Sequence, residues 1–276
     1  MTGPRVLALN GSPRAGAGVT SKLLEPLLAG MREAGAETEL IQVRELGLEP
    51  CIGCYSCWVQ TPGRCIYSDG MERGLEAWAA ADLVVMGTPV YHGTMTGLMK
   101  TFLDRLLPRY EPWLVPSAHV EGASGHPARG PEPGRLVLVS PCGFPGFHNF
   151  DALVYTFRHI ARMHGMEVSG EILRPFAEPL RLKALSGLFG DYFEAVRTAG
   201  REIIMTGAIA EETQAELSRD LMPGDLLEKH EMANAHWRRL HVRAGSATRT
   251  TTLLPQDRLH GVGGGEAEVV PHRIAE

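Results

Sequence analysis

The sequence predicts an α/β fold in which a parallel sheet is covered by helices on both faces. Three observations carry that reading. Short apolar runs alternate with amphipathic helical stretches five times over. The loops after the first, third and fourth runs are rich in Gly and Pro, and no internal repeat is visible. Alternating strands and helices of this kind close into a sheet with right-handed crossovers.

The first strand is expected at Val6–Leu9, and the helix after it shows Leu23, Leu24, Leu27, Leu28 and Met31 on one face. Residues 37–43 read as a second strand through Leu40, Ile41 and Val43. A short helix over Met71–Ala80 leads to a fully apolar third strand, residues 83–86. The next helix is predicted over 94–107, with Met95, Leu98, Met99, Phe102 and Leu106 on one face and Thr94 as its N-cap. Residues 108–134 hold six prolines and no usable periodicity, so they predict a functional loop or a subunit contact. A fourth strand at 136–140, a helix at 150–164, a fifth strand at 167–173 and a helix at 191–206 follow. The expected organisation is a sheet domain over 1–206 and a polar helical extension over 207–243. A tail over 244–276, rich in Ser, Thr, Gly and charge, is expected to be disordered.

Composition narrows the function classes. The chain has 276 residues, 44% hydrophobic and 21% charged, with a net charge of −5. No broad basic field favours nucleic acid or an anionic membrane. No run approaches the roughly 18 apolar residues of a membrane span, and the longest candidate, 77–86, is broken by Asp82. The first residues offer no stretch suited to a signal peptide, so a cytoplasmic location with reduced cysteines is expected. Neither a Ser-His-Asp order, nor an HExxH motif, nor paired loop carboxylates suggest hydrolysis.

The loop after the first strand carries Asn10, Gly11, Ser12, Arg14, Gly16, Gly18 and Thr20. Backbone N–H groups at a helix start, two hydroxyls and one guanidinium make a phosphate site. No Lys-Ser/Thr pair closes the loop, and the glycines do not fall in the GxGxxG spacing. A terminal monophosphate, as on FMN, suits such a loop better than a triphosphate or a pyrophosphate. In a doubly wound sheet of order 2-1-3-4-5, the flavodoxin-like order, ligands sit at the switch point between strands one and three. There the 12–20 loop and the 88–93 loop flank one crevice, with 141–146 as its third wall.

Four of the five cysteines fall within fifteen residues as C-x2-C-x2-C-x7-C: Cys51, Cys54, Cys57 and Cys65. Three cysteines at successive three-residue steps wrap one corner of a cube, as in [4Fe–4S] ligation. Two well-separated C-x2-C pairs would be the commoner zinc pattern. Thiols that only shape a loop, or act in redox chemistry, stay open at this point, as does zinc.

GSPR with Thr20 after the first strand and the four-cysteine loop after the second occur in register with GTPVYHGTMTGLMKTFLDR after the third and PCGFPGFHNFDAL after the fourth. Together they resemble the flavodoxin-like NAD(P)H-dependent FMN reductases, and in particular the iron–sulfur flavoproteins, from about Val6 to about Arg239. The resemblance implies that Ser12, Arg14, Gly18 and Thr20 hold the FMN phosphate. It implies that Pro89, Val90, Tyr91, His92 and Gly93 line the isoalloxazine, and that Cys142, Gly143 and Phe144 close the other side. Val19 departs from the family, which more often has Asn there, and the Arg14–Thr20 spacing is one residue longer. No side chain is implied as a catalytic acid or base, because the flavin carries the chemistry. The activity implied is hydride transfer from NAD(P)H through FMN to a quinone, a flavin or another small acceptor. The iron–sulfur branch implies instead an electron carrier linked to ferredoxin, with Cys51, Cys54, Cys57 and Cys65 on a [4Fe–4S] cluster. A homodimer or homotetramer is implied in either case. Asp104 and Arg105 are expected to stabilise a helix–loop junction, and Arg158, His159 and Arg162 to form a solvated basic face or to meet a nicotinamide phosphate.

Overall fold

The computed structural model describes residues 3–243. The expected disordered tail over 244–276 lies outside the described residues. Two compact units divide the chain, the first running to Pro223 and the second from Gly224.

In the first unit, β1 (Arg5–Asn10), α1 (Val19–Glu33), β2 (Glu37–Gln42), α2 (Ser56–Val59), α3 (Met71–Ala80), β3 (Leu83–Gly87) and α4 (Gly97–Asp104) follow in order. Then come β4 (Val115–Pro116), β5 (Ser124–Gly125), β6 (Arg135–Pro141), α5 (Asp151–His164), β7 (Glu167–Arg174), α6 (Gly190–Met205) and α7 (Glu211–Ser218). The main sheet has five strands in the order β2-β1-β3-β6-β7, all neighbours parallel, which is the flavodoxin-like order the sequence predicts. The strands β4 and β5 form a separate two-residue antiparallel pair inside the proline-rich loop.

Burial follows from this order. The central strands β1, β3 and β6 are almost wholly buried runs, because helices cover both their faces. The edge strands β2 and β7 alternate between buried and partly exposed positions. On one face α1 and α6 close over Val6, Ala8, Val85, Val137 and Ile172. Their approach is tight: a Cβ on Gly30 would lie 1.9 Å from the Arg197 carbonyl oxygen, and one on Gly200 would lie 2.1 Å from that of Leu27. On the other face Trp78, Met99, Phe102, Phe150 and Phe157 pack on Leu7, Leu9, Val84 and Leu138. Each such fully buried large side chain stabilises the fold by about 1.5–3 kcal/mol relative to exposure.

The start of α4 differs from the expectation. Thr94 is not the cap: it bridges back to Tyr91, and Thr96 is the N-cap, its hydroxyl accepting from the Met99 amide at 3.2 Å. The turn at 91–94 consumes the residues that periodicity alone would assign to the helix. Polar α7 packs on α6 and β7, with Leu217 buried. In the second unit the described element is α8 (Leu226–Arg243). Among the described residues no helix is long and apolar enough to cross a membrane.

Candidate functional site

Asn10, fully buried at the end of β1, builds the first loop. Its Nδ2 donates to Ser21 Oγ at 2.8 Å and Gln42 Oε1 at 2.7 Å, and its Oδ1 accepts from the Ser12 amide at 3.0 Å. Ser21 Oγ donates in turn to the Ala15 carbonyl at 2.9 Å. This clamp holds Ala15 at φ 45°, an unfavourable left-handed conformation for a residue with a Cβ. Ser12 and Thr20 are buried beneath the loop. A Cβ at Gly18 would lie 2.7 Å from Ser12 Oγ, so only glycine lets the loop fold this closely onto that hydroxyl. From outside, Arg44 Nη1 donates to the Pro13 carbonyl at 2.7 Å.

The loop after β3 is stapled to the first by buried hydroxyls. Thr96 Oγ1 donates to the Gly11 carbonyl at 2.7 Å, and the Thr96 amide donates to Thr88 Oγ1 at 3.1 Å. Ser140 Oγ donates to the Thr88 carbonyl at 2.7 Å, and the Val90 amide extends the β3–β6 ladder to the Pro141 carbonyl at 3.0 Å. Beyond Tyr91 the chain turns through His92 at φ 49° and Gly93 at φ 85°.

The loop after β6 is zipped to the loop after β7. Cys142 donates its amide to the Arg174 carbonyl at 2.9 Å, and Ala177 and Phe176 donate theirs to the carbonyls of Cys142 and Phe144, each at 2.9 Å. Phe176 is held at φ 49°. Burial pushes the Cys142 thiol pKa up, partly offset by a hydrogen bond from the Phe144 amide, which disfavours a thiolate there.

These loops meet around a crevice of about 470 Å³ that opens to solvent. Nine of the predicted residues line it: Ser12, Arg14, Gly18, Thr20, Pro89, Val90, Tyr91, Cys142 and Gly143. His92, Gly93 and Phe144 do not line it and stand exposed around its rim. Sequence reasoning missed the fourth wall, Ala177 and Glu178. The signal for it was available, since the 2-1-3-4-5 order puts the end of the fifth strand beside the fourth. Glu178 Oε1 is 3.4 Å from Arg14 Nη1, so the one guanidinium of the first loop faces a carboxylate across the crevice.

The four predicted metal-ligand cysteines come together in a second cavity of about 340 Å³. Cys51, Cys54, Cys57 and Cys65 line it with Ile52, Tyr55, Ile66, Tyr67 and the end of α4. Tyr55, in the middle of the loop, sits at φ 55°. Among the described residues no three His, Cys, Asp or Glu side chains stand in the arrangement of a single metal ion's shell. A cube carrying one thiolate per corner would need its ligands set further apart than a single ion does, and of the four thiols Cys51 and Cys54 are exposed while Cys57 is buried. Asp104 and Arg105, expected as a local pair, are separated: Asp104 meets Lys100 at 2.5 Å, while Arg105 is buried against Asp69 at 2.8 Å. Burial alone would raise the Asp69 carboxyl, but hydrogen bonds from Arg105 and from the amides of Glu49 and Met71 hold it below the usual carboxylate range.

The proline-rich loop packs over this second cavity's helix, α2. Trp58 lies 4.7 Å from the His126 ring, centre to centre, and its Nε1 donates to the Leu107 carbonyl at 3.2 Å. The base of the loop is pinned by a polar knot. Tyr110 Oη donates to Glu132 Oε2 at 3.0 Å and lies 2.8 Å from His164 Nδ1, while Trp78 Nε1 donates to Glu132 Oε2 at 2.8 Å. Burial lowers the His164 pKa, more than Glu132 raises it, and keeps the ring neutral. On α5, Arg158 is committed to Glu171 of the edge strand at 2.7 and 2.9 Å.

Residues 4–130 match the family model described as NADPH-dependent FMN reductase. An iron–sulfur flavoprotein of Methanocaldococcus jannaschii is 36% identical over 104 residues, 38% of this chain and 52% of the relative. One from Archaeoglobus fulgidus is 36% identical over 101 residues, 37% of this chain and 48% of the relative. The chain thus spans about half the length of the curated relatives it matches. Among solved structures, an FMN-dependent NADH-azoreductase from Bacillus anthracis in complex with FMN superposes with a TM-score of 0.53 at 13% identity, covering 73% of this chain and 99% of that one. An NAD(P)H:quinone oxidoreductase from Methanothermobacter marburgensis gives a TM-score of 0.51 at 14% identity, with 73% and 99% coverage. At these identities the two solved structures speak for the fold alone.

Proposed function

We propose that this chain is an FMN-dependent oxidoreductase that takes hydride from NAD(P)H and delivers it to a quinone, a flavin or another small electrophilic acceptor. The observation that carries this reading is the crevice at the carboxyl ends of β1, β3 and β6. Its phosphate end is already organised: Asn10 fixes the first loop with Ser12 and Thr20 buried beneath it. Pre-set hydroxyls and amides bind a phosphate without reorganising, as a cofactor cradle requires.

In this reading Ser12, Arg14, Gly18 and Thr20 hold the phosphate, and Arg14 exchanges Glu178 for it. Pro89, Val90 and Tyr91, with His92 and Gly93 at the rim, border one edge of the ring. Cys142 and Gly143, with Phe144 at the rim, border the other. FMN supplies hydride acceptance and release, so the protein needs no acid–base pair of its own. The neutral Cys142 thiol places no negative charge beside the ring, which favours an electron-rich flavin there.

Apoprotein titrated with FMN should bind one equivalent, and stopped-flow mixing with NADPH should bleach the flavin absorbance. Protein that stays colourless in excess FMN overturns the reading.

A second reading is favoured by the four cysteines around one cavity. In it the chain is an iron–sulfur flavoprotein that carries electrons from a ferredoxin-type donor without nicotinamide turnover. Cys51, Cys54, Cys57 and Cys65 would hold a [4Fe–4S] cluster. Anaerobically purified protein with flavin bands plus a broad brown shoulder, and no bleaching by NADPH, selects this reading over the first. Association into a homodimer or homotetramer is proposed through the proline-rich loop, where Trp113 and Leu114 are 67% and 73% exposed. Sedimentation as a monomer at micromolar concentration would refute it.

A further inference from the structure

The wall of the cysteine cavity carries two charged side chains, Asp104 and Arg105, and of these Arg105 is the buried one. Arg105 directly follows α4 and is 1% exposed. Its Nη1 donates to the Glu49 carbonyl at 2.6 Å and to Asp69 Oδ2 at 2.8 Å, and its Nη2 donates to Asp69 Oδ1 at 3.0 Å. The guanidinium carbon lies 5.1 Å from the centre of the Tyr67 ring. Its Nε is buried without any hydrogen-bond partner. Arg105 forms part of the cavity wall together with Cys51, Cys54, Cys57 and Cys65, and the Cys65 sulfur stands beside the guanidinium.

A buried ion pair adds little stability over a well-packed apolar substitute, because desolvation cancels much of the attraction. An orphaned donor makes the arrangement still less economical as a purely structural device, since an unmade buried hydrogen bond costs free energy. The partners of Arg105 are instead distributed in a telling way. Glu49 precedes Cys51, whereas Cys65, Tyr67 and Asp69 close the same loop. One side chain therefore gathers both ends of the cysteine loop and fixes them to the end of α4.

We propose that Arg105 is the positioning residue of the cysteine site, holding the loop closed and setting a positive charge against the negative charge of a thiolate-ligated iron–sulfur group. This rests on the reading of the cavity as an iron–sulfur site. A cluster held by four thiolates is anionic, and its reduction takes up one electron from the reductant with no bond made or broken. A fixed cation in the wall favours the more negative, reduced form. Asp69, which neutralises Arg105, opposes that preference. The two residues therefore act on the reduction potential with opposite signs.

The test is anaerobic reconstitution of wild type, R105Q, R105K and D69N with ferrous iron and sulfide, followed by iron determination and a redox titration with dithionite. Wild type is expected to take up about four irons per chain. In R105Q the reduced-to-oxidised ratio at a fixed solution potential is expected to fall at least tenfold, about 59 mV for a one-electron couple. R105K recovers part of that loss, because it keeps the charge but not the fork. D69N moves the ratio the other way. FMN affinity at the crevice stays within twofold in all four proteins and serves as the check on folding. Equal potentials in loaded wild type, R105Q and D69N overturn the inference while leaving the iron–sulfur reading standing. Shifts of the same sign in R105Q and D69N also overturn it, since they would report only loop disruption. Should R105Q fail to fold, the sign of the D69N shift decides alone. Wild type that binds FMN but no iron overturns the iron–sulfur reading and this inference with it.

Discussion

The two cavities of this protein each set an arginine against a carboxylate, one pair half-exposed and the other buried. In the proposed reading the crevice offers an anion mostly neutral groups, the backbone amides held by Asn10 and the hydroxyls of Ser12 and Thr20, together with one half-exposed cation, Arg14, that is balanced by Glu178. The cysteine cavity instead has a buried, fully charged Arg105 in its wall, neutralised by Asp69. The difference follows from solvent. A crevice open to water lets a phosphate keep part of its hydration, so dipoles suffice. A charge buried as deeply as Arg105 must be compensated by another charge. Both sites hang from the same element, α4, whose first turn is stapled to Gly11 by Thr96 and whose end carries Arg105.

The sharpest way to break the comparison is to remove Asp69. Asp69→Ala leaves Arg105 buried and unpaired, which is expected to cost about 3 kcal/mol of unfolding free energy, measured by chemical denaturation. The pair also fixes a pH signature. The Asp69 carboxyl is held below its ordinary value in the folded state, so its contribution is complete above the unfolded value of about 3.9 and is lost as pH falls through the folded value. The acid limb of the wild-type stability profile should flatten in the variant. An unchanged acid limb would mean that the pair is not what the cysteine side depends on.

On the crevice side, Asn10→Ala removes the clamp. It leaves the Ser12 amide and the Gln42 side chain without their partner, at about 2 kcal/mol of stability. FMN affinity is expected to fall about tenfold, the equivalent of 1.4 kcal/mol, as read by flavin fluorescence quenching. A variant that loses stability but binds FMN normally would separate loop order from binding.

A smaller effect belongs to the base of the proline-rich loop. His164 is buried neutral with its pKa lowered by desolvation, so its contribution holds above the unfolded value of about 6.5 and declines as pH falls toward the folded value. Thermal stability should drop by about 1 kcal/mol equivalent between pH 7 and 5, and His164→Gln should flatten that slope. FMN affinity should not follow it, because the loop packs on the cysteine side. Thr20→Val should weaken FMN binding about fivefold, near 1 kcal/mol, at nearly unchanged melting temperature. Least of all, Glu178→Gln should tighten FMN binding two- to threefold, since a half-exposed ion pair is worth about 0.5 kcal/mol. Weaker binding in that variant would show that Glu178 assists the ligand and does not compete with it.

The order of strands and helices was legible because periodicity reports it directly: buried runs such as Leu83–Gly87 have no polar side to confuse the reading. The three crevice loops were legible too, since strand order alone sends them to one rim. Local rules misplaced the α4 cap by two residues, because Thr94 and Thr96 are equally good cap residues. Only the Tyr91–Thr94 bridge distinguishes them. Strand order pointed to the end of the fifth strand as a fourth crevice wall, but Ala177 and Glu178 carry no motif of their own, and three backbone hydrogen bonds between the loops after β6 and β7 set their place.

By itself, then, the sequence determined the parallel sheet, the loops at its carboxyl rim and the spacing of Cys51, Cys54, Cys57 and Cys65. These follow from burial periodicity and chain connectivity, which are local or nearly so. Only the tertiary structure decided that Arg105 turns away from its neighbour Asp104 to join Asp69, 36 residues upstream, and that Arg14 faces Glu178, 164 residues downstream. Charges choose partners by distance and desolvation in the folded chain, and neither quantity exists until the sheet has formed.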